Sequence, residues 1–178
     1  MNMNRLRFVA IPALAALLAL PVTAQVQKKE LAGVRNYSRV DATVGCGGAV
    51  DPAAMAGLKK EGFVSIINLR EATEPGADVD AGRAAAQAAG LKYFHLPFSV
   101  AKPETKVVDS FLAAVADKNN QPVFIHCGSA NRVGGMWMIK RALQDKWPIE
   151  KARAEGEAIG LNNPAMVAFA TEYITKHR

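Results

Sequence analysis

Three short apolar runs, at residues 63–69 (FVSIINL), 91–96 (LKYFHL) and 122–126 (PVFIH), set the frame for this chain. Each has strand length, and each is followed by a turn or loop signal and a longer stretch with helical periodicity. Nearly continuous apolar strands belong in sheets covered on both faces. Their alternation with helices predicts an α/β domain: a mostly parallel sheet of four to five strands with helices on both faces.

The remaining elements fit that frame. Residues 37–44 read as a first strand that ends in a turn at Gly45-Cys46-Gly47-Gly48. Asp51 is a helix cap with Pro52 at the first helical position, and the helix runs to about residue 60. An alanine-rich helix spans residues 78–89 and is closed by Gly90. Residues 104–117 form the next helix, with Val107, Phe111 and Val115 on one face. Further helices are expected at 131–144, 149–158 and 164–176, and no internal repeat is present.

The N-terminus bounds what counts as the folded domain. Arg5 and Arg7 precede an apolar segment at residues 8–20, and small residues at Val22 and Ala24 follow. This is the pattern of a secretory signal peptide, with cleavage after Ala24. The apolar segment is shorter than the ~20 residues a spanning helix needs. The reading is therefore an exported protein, periplasmic or secreted, without stable membrane anchoring after cleavage. Residues 25–36 form a polar leader and 37–178 one domain of ordinary size. The formal net charge of +6 comes from scattered basic residues with no aromatic platform, which argues against a nucleic-acid partner. His95, His126 and His177 lie far apart, and no ligand spacing with the cysteines predicts a metal.

Chemistry concentrates at Val123-Phe-Ile-His-Cys-Gly-Ser-Ala-Asn-Arg-Val. A strand delivers Cys127 to the carboxyl edge of the sheet, where ligands gather in such folds. The small residues Gly128, Ser129, Ala130 and Asn131 let consecutive backbone N–H groups point at one anion, and a helix N-terminus follows. A thiol in that field should ionise more readily than free cysteine at ~8.5. Arg132 adds a planar fork for two oxygens of a tetrahedral anion. The parts suit thiolate attack on phosphorus, or on sulfur carried by another group.

His126-Cys127-Gly-Ser-Ala-Asn-Arg132-Val133 resembles the signature of the cysteine-dependent tyrosine and dual-specificity phosphatases. It is most similar to the bacterial branch called beta-lactamase-hydrolase-like phosphatases. The strand at 63–70 (FVSIINLR) resembles that branch's strand ending in Asn-Leu-Arg, and 91–97 (LKYFHLP) its next strand. The resemblance covers about residues 38–170 and implies a dual-specificity phosphatase-like fold. It implies a phosphoester hydrolase with Cys127 as nucleophile, a phosphocysteine intermediate and no cofactor. It also implies a phosphorylated protein or small phosphoester as substrate, with His126 supporting the loop.

Three departures bear on the chemistry. Four residues separate Cys127 from Arg132, one fewer than in the usual phosphatase signature; rhodanese-type sulfurtransferases have a loop that short, and the bacterial branch shares it. Val133 stands where a serine or threonine usually helps the cysteine leave. Residues 98–105 (FSVAKPET) lack the aspartate that serves the family as general acid, and Glu104 is the one carboxylate there. Glu71, Glu74 and Asp78, after another strand end, are further candidate acids. Arg70 is placed to bind substrate anion, and Cys46 is a possible redox partner of Cys127. Sulfur transfer and non-catalytic oxyanion binding remain the alternatives to phosphate ester hydrolysis.

Overall fold

A computed structural model describes residues 26–178; the expected signal segment at 1–24 lies outside the described residues. Six strands form one sheet: β1 (Gln27–Lys28), β2 (Ser38–Arg39), β3 (Val44–Gly47), β4 (Ser65–Asn68), β5 (Lys92–His95) and β6 (Val123–His126). Their order is β1-β2-β3-β6-β4-β5. The last four in that order run parallel, while β1, β2 and β3 pair antiparallel. The helices are α1 (Met55–Lys60), α2 (Val79–Ala88), α3 (Thr105–Ala116), α4 (Asn131–Leu143), α5 (Ile149–Ile159) and α6 (Pro164–His177). No helix among the described residues is long and apolar enough to cross a membrane.

The period of two along the strands sorts side chains into two cores. Ile66 and Phe124 face one side, packing with Met55 and Leu58 of α1 and Ala86 of α2. Cys46, Ile67 and Ile125 face the other, where α3 to α6 cover the sheet with Phe111, Met136, Ala152 and Met166. The expected architecture, a mostly parallel sheet with helices on both faces, is present. Several helix starts follow their caps: the carboxylates of Asp51 and Asp78 accept from Ala53 N (3.0 Å) and Ala81 N (3.1 Å). The Asn163 side chain accepts from Ala165 N at 2.9 Å at the start of α6.

Three details differ from the sequence reading. The expected strand at 37–44 is split, because Asp41 Oδ1 accepts from the backbone N (2.8 Å) and Oγ1 (2.7 Å) of Thr43 and turns the chain between β2 and β3. The glycines at 45 and 47 do not make a turn; they sit in buried β3. A Cβ on Gly45 would lie 2.3 Å from Phe63 Cζ, and one on Gly47 2.8 Å from Phe124 Cζ. The glycines make room for aromatic rings, and Cys46 between them points into the opposite core. Finally, part of the polar leader is β1, which pairs with β2 and gives six strands instead of four to five.

Candidate active site

The carboxyl ends of β3, β6 and β4 lie level, with Gly47 beside His126 and His126 beside Asn68. Cys127 leaves the middle of that edge, its N–H still on Gly47 O at 3.3 Å. The next carbonyls are then committed elsewhere. Gly128 O accepts from Ala49 N (3.0 Å), Ser129 O from Asn36 Nδ2 (3.1 Å) and Ala130 O from Gly134 N (3.0 Å). Ala130 adopts the left-handed region at φ 76°, which turns the loop into α4. Among the described residues, no protein acceptor takes up the amide N–H groups of residues 128–133. Six consecutive free donors at the mouth of a helix form an anion cradle, with Cys127 at its start and 1% exposed.

Arg132 closes the cradle. Its Nη1 donates to Leu69 O (3.2 Å), Phe98 O (3.1 Å) and Glu74 Oε1 (2.5 Å), and its Nη2 to Glu74 Oε2 (2.8 Å). The carbonyls following β4 and β5 therefore fix one edge of the guanidinium. Nε and the second Nη2 hydrogen donate to no oxygen among the described residues, leaving the other edge for an oxyanion. Burial works against the Arg132 charge. Hydrogen bonding to Glu74 and the proximity of Cys127 outweigh it and raise the guanidinium pKa.

Glu74 is the counterweight that sequence reasoning ranked only among the candidate acids. Its carboxylate also accepts from Glu71 N (2.8 Å) and Arg70 Nε (3.3 Å). Burial would raise its pKa, but the Arg132 hydrogen bonds and the Glu71 amide prevail and bring it down to about 2. An ionised, doubly paired carboxylate does not donate protons, so Glu74 is no general acid. A depressed carboxylate pKa stabilises the fold above the ordinary carboxylate range, and that contribution fades as pH falls towards the folded value. The stability lost on Glu74→Gln should therefore be largest near neutral pH and shrink between about pH 4.5 and pH 2. Urea denaturation of both proteins across that range checks this.

Other expected residues are placed differently. Arg70 is committed to its own loop: it is 6% exposed, with Nη1 on Gly76 O (2.8 Å) and Nη2 on Pro75 O (2.6 Å). It ties the loop that carries Glu74 back onto the sheet. The Asn131 side chain is also diverted, its Oδ1 accepting from Asn162 N and Asn163 N, both at 2.9 Å, so only its backbone N–H serves the cradle. Glu104 sits exposed before α3 and lines a small cleft with Glu71, Pro97, Ser99 and Lys102, to which no residue of 127–132 contributes. The structure does not bring it into the cradle as an acid. Asp78 is occupied as the cap of α2.

His126 is 4% exposed, and neither ring nitrogen makes a hydrogen bond of good geometry. Burial, reinforced by the Arg70 charge, pushes its pKa down to about 3, so it stays neutral. Its position under the loop is that of a support. His95 Nε2 donates to Arg70 O at 2.8 Å and braces the same loop. Both cysteines are free thiols. Cys46 is fully buried, and burial, with the nearby acids Glu155 and Asp41, raises its pKa well above the ordinary thiol range. A thiol kept protonated is a poor partner for disulfide exchange.

The fold resembles several solved structures. A DUF442 protein from Shewanella putrefaciens CN-32 superposes with a TM-score of 0.70 at 22% identity, over 82% of this chain and 95% of that one. TpbA from P. aeruginosa gives 0.66 at 19%, over 88% and 92%. The core catalytic domain of the PP-IP phosphatase SIW14 from S. cerevisiae gives 0.65 at 18%, over 83% and 93%. No curated protein sequence matches the chain. Residues 36–144 match the family described as beta-lactamase hydrolase-like protein, phosphatase-like domain. That match takes in most of the strands, the Glu74 loop and the cradle, and the chain belongs to this bacterial branch of the cysteine-based phosphatase superfamily.

Proposed function

We propose that the protein hydrolyses phosphate monoesters with Cys127 as nucleophile. The observation that carries this is the set of free amides at residues 128–133 around Cys127, completed by the unpaired edge of Arg132. The Cys127 sulfur attacks phosphorus in line, the S–P bond forming as the bond to the ester oxygen breaks. The loop amides and Arg132 hold the equatorial oxygens as charge shifts onto them. Water then attacks the phosphocysteine, releasing inorganic phosphate and restoring the thiolate.

The departing oxygen meets no carboxylic acid inside the cradle, so it takes its proton from water. Esters with good leaving groups, aryl phosphates above all, are the favoured substrates. A solved complex of TpbA contains pTyr, a ligand of that aryl class. The sequence pattern of residues 1–24 supports export, which would place the reaction in the periplasm or outside the cell.

Hydrolysis of para-nitrophenyl phosphate by the reduced protein tests the reading. Cys127→Ser should lower turnover by roughly a thousand-fold or more while leaving the fold intact. The four-residue spacing between Cys127 and Arg132 favours sulfur transfer as the second reading. A persulfide on Cys127 after thiosulfate treatment, without phosphate release, would establish that instead. Phosphate bound with neither activity would leave an oxyanion-binding module.

A further inference from the structure

Arg35 lies at the lip of the cradle. Its backbone is fixed there: Arg35 N donates to Ala49 O (2.9 Å), and Gly48 N donates to Arg35 O (2.7 Å). A Cβ built on Gly48 would lie 3.3 Å from Arg35 Cβ and 3.2 Å from Ser129 Cα, so only a bare glycine separates the arginine's stem from the loop. The neighbouring Asn36 donates its side chain to Ser129 O. The other arginines among the described residues pair with acceptors or lie over aromatic rings. Arg35 is exposed and has neither among the described residues.

Beside it runs an open cleft between Gly33, Val34 and Arg35 on one side and Gly76 of the Glu74 loop on the other, with Ala49 and Val50 also lining it. Asp51, the acid in this cleft, is engaged in capping Ala53 N. Backbone and small apolar side chains make up the rest. The cleft borders the cradle through Gly76, two residues after the Glu74 that holds Arg132, while Ala49 flanks the outer side of the loop with its N–H on Gly128 O. The alcohol part of an ester whose phosphoryl group fills the cradle can extend into this cleft, where the free guanidinium is the cation it meets.

We propose that Arg35 is a specificity-determining residue that selects phosphoesters carrying a second anionic group on the alcohol part, a carboxylate or a further phosphate. This rests on the phosphoester reading of the cradle. The test compares 4-carboxyphenyl phosphate with its neutral counterpart, 4-carbamoylphenyl phosphate. Calorimetric binding to Cys127→Ser protein, with Arg35 or with Arg35→Gln, is measured alongside kcat and KM in protein that keeps Cys127.

With Arg35 the carboxylate ester should bind about 10-fold more tightly than the carbamoyl ester, as one charge-assisted hydrogen bond allows. With Arg35→Gln that ratio should fall to about one, and the change should appear in KM more than in kcat. A ratio that survives Arg35→Gln, or no preference in the parent, overturns the role of Arg35. Binding of both esters without Cys127-dependent hydrolysis overturns the phosphatase reading instead, while the affinity ratio still decides on Arg35. No binding of either ester overturns both.

Discussion

Replacing Arg132 with lysine should lower kcat/KM for para-nitrophenyl phosphate by about 100- to 1000-fold, the loss expected when a preorganised donor to the developing charge is removed. The reason lies in how the five donors of the guanidinium are divided. Nη1 is spent on Leu69 O, Phe98 O and Glu74, and one Nη2 hydrogen on Glu74, which orients the free Nε and Nη2 donors as a pair. A lysine ammonium has no planar fork, so it cannot hold Glu74 and two phosphoryl oxygens in one geometry. The variant also leaves the Glu74 carboxylate poorly compensated next to the incoming anion. Steady-state kinetics on the folded variant give the answer, and a loss under about 10-fold would mean that the loop amides do most of the work.

Gly134→Ala should be the most destabilising small substitution near the site, by about 3 kcal/mol or more, because overpacking against rigid groups lies at the costly end of such changes. A Cβ there would lie 2.4 Å from Gly156 O and 2.8 Å from Leu161 N. Both are backbone atoms, so no side chain can rotate away; α4 and α5 must separate. Gly135 is a useful contrast, since its added methyl would meet the Met166 side chain at 2.3 Å, and a flexible thioether can move. Thermal unfolding should show a drop of roughly 6–12 °C for Gly134→Ala in a domain of this size. The Gly135→Ala drop should be smaller. Separation at Gly134 also shifts α4, whose first turn carries Arg132, so activity should fall with stability.

The parts of the fold legible in the sequence were those with strong local signals. The apolar runs became β4, β5 and β6, and the cap at Asp51, with Pro52 behind it, began the turn that leads into α1. The signals failed where a residue served a distant neighbour. Gly45 and Gly47 read as turn formers, yet they are small because Phe63 and Phe124 occupy the space a side chain would need. Gln27–Lys28 has no apolar pattern because it is a two-residue edge strand held by backbone pairing with β2.

The site divides the same way. Cys127, the small loop and Arg132 are contiguous, so their geometry follows from a strand, a tight turn and a helix start. Arg70, Glu74 and Asn131 act through partners that their local sequence does not identify. Arg70 binds carbonyls of the loop it begins, Glu74 meets an arginine 58 residues away, and Asn131 holds the turn before α6. Arg70 and Glu74 pair across a non-helical loop, where a four-residue spacing carries no signal of its own.

Trapping the intermediate tests the central claim most directly. The reduced protein is mixed with an aryl phosphate, quenched rapidly in denaturant at mildly alkaline pH, where an S–P bond persists, and digested, and the peptide containing Cys127 is examined by mass spectrometry. The account predicts a phosphoryl group on the Cys127 sulfur that builds up during turnover and is absent from Cys127→Ser protein. Phosphate release that proceeds with no adduct on Cys127, or that persists in Cys127→Ser, would contradict it.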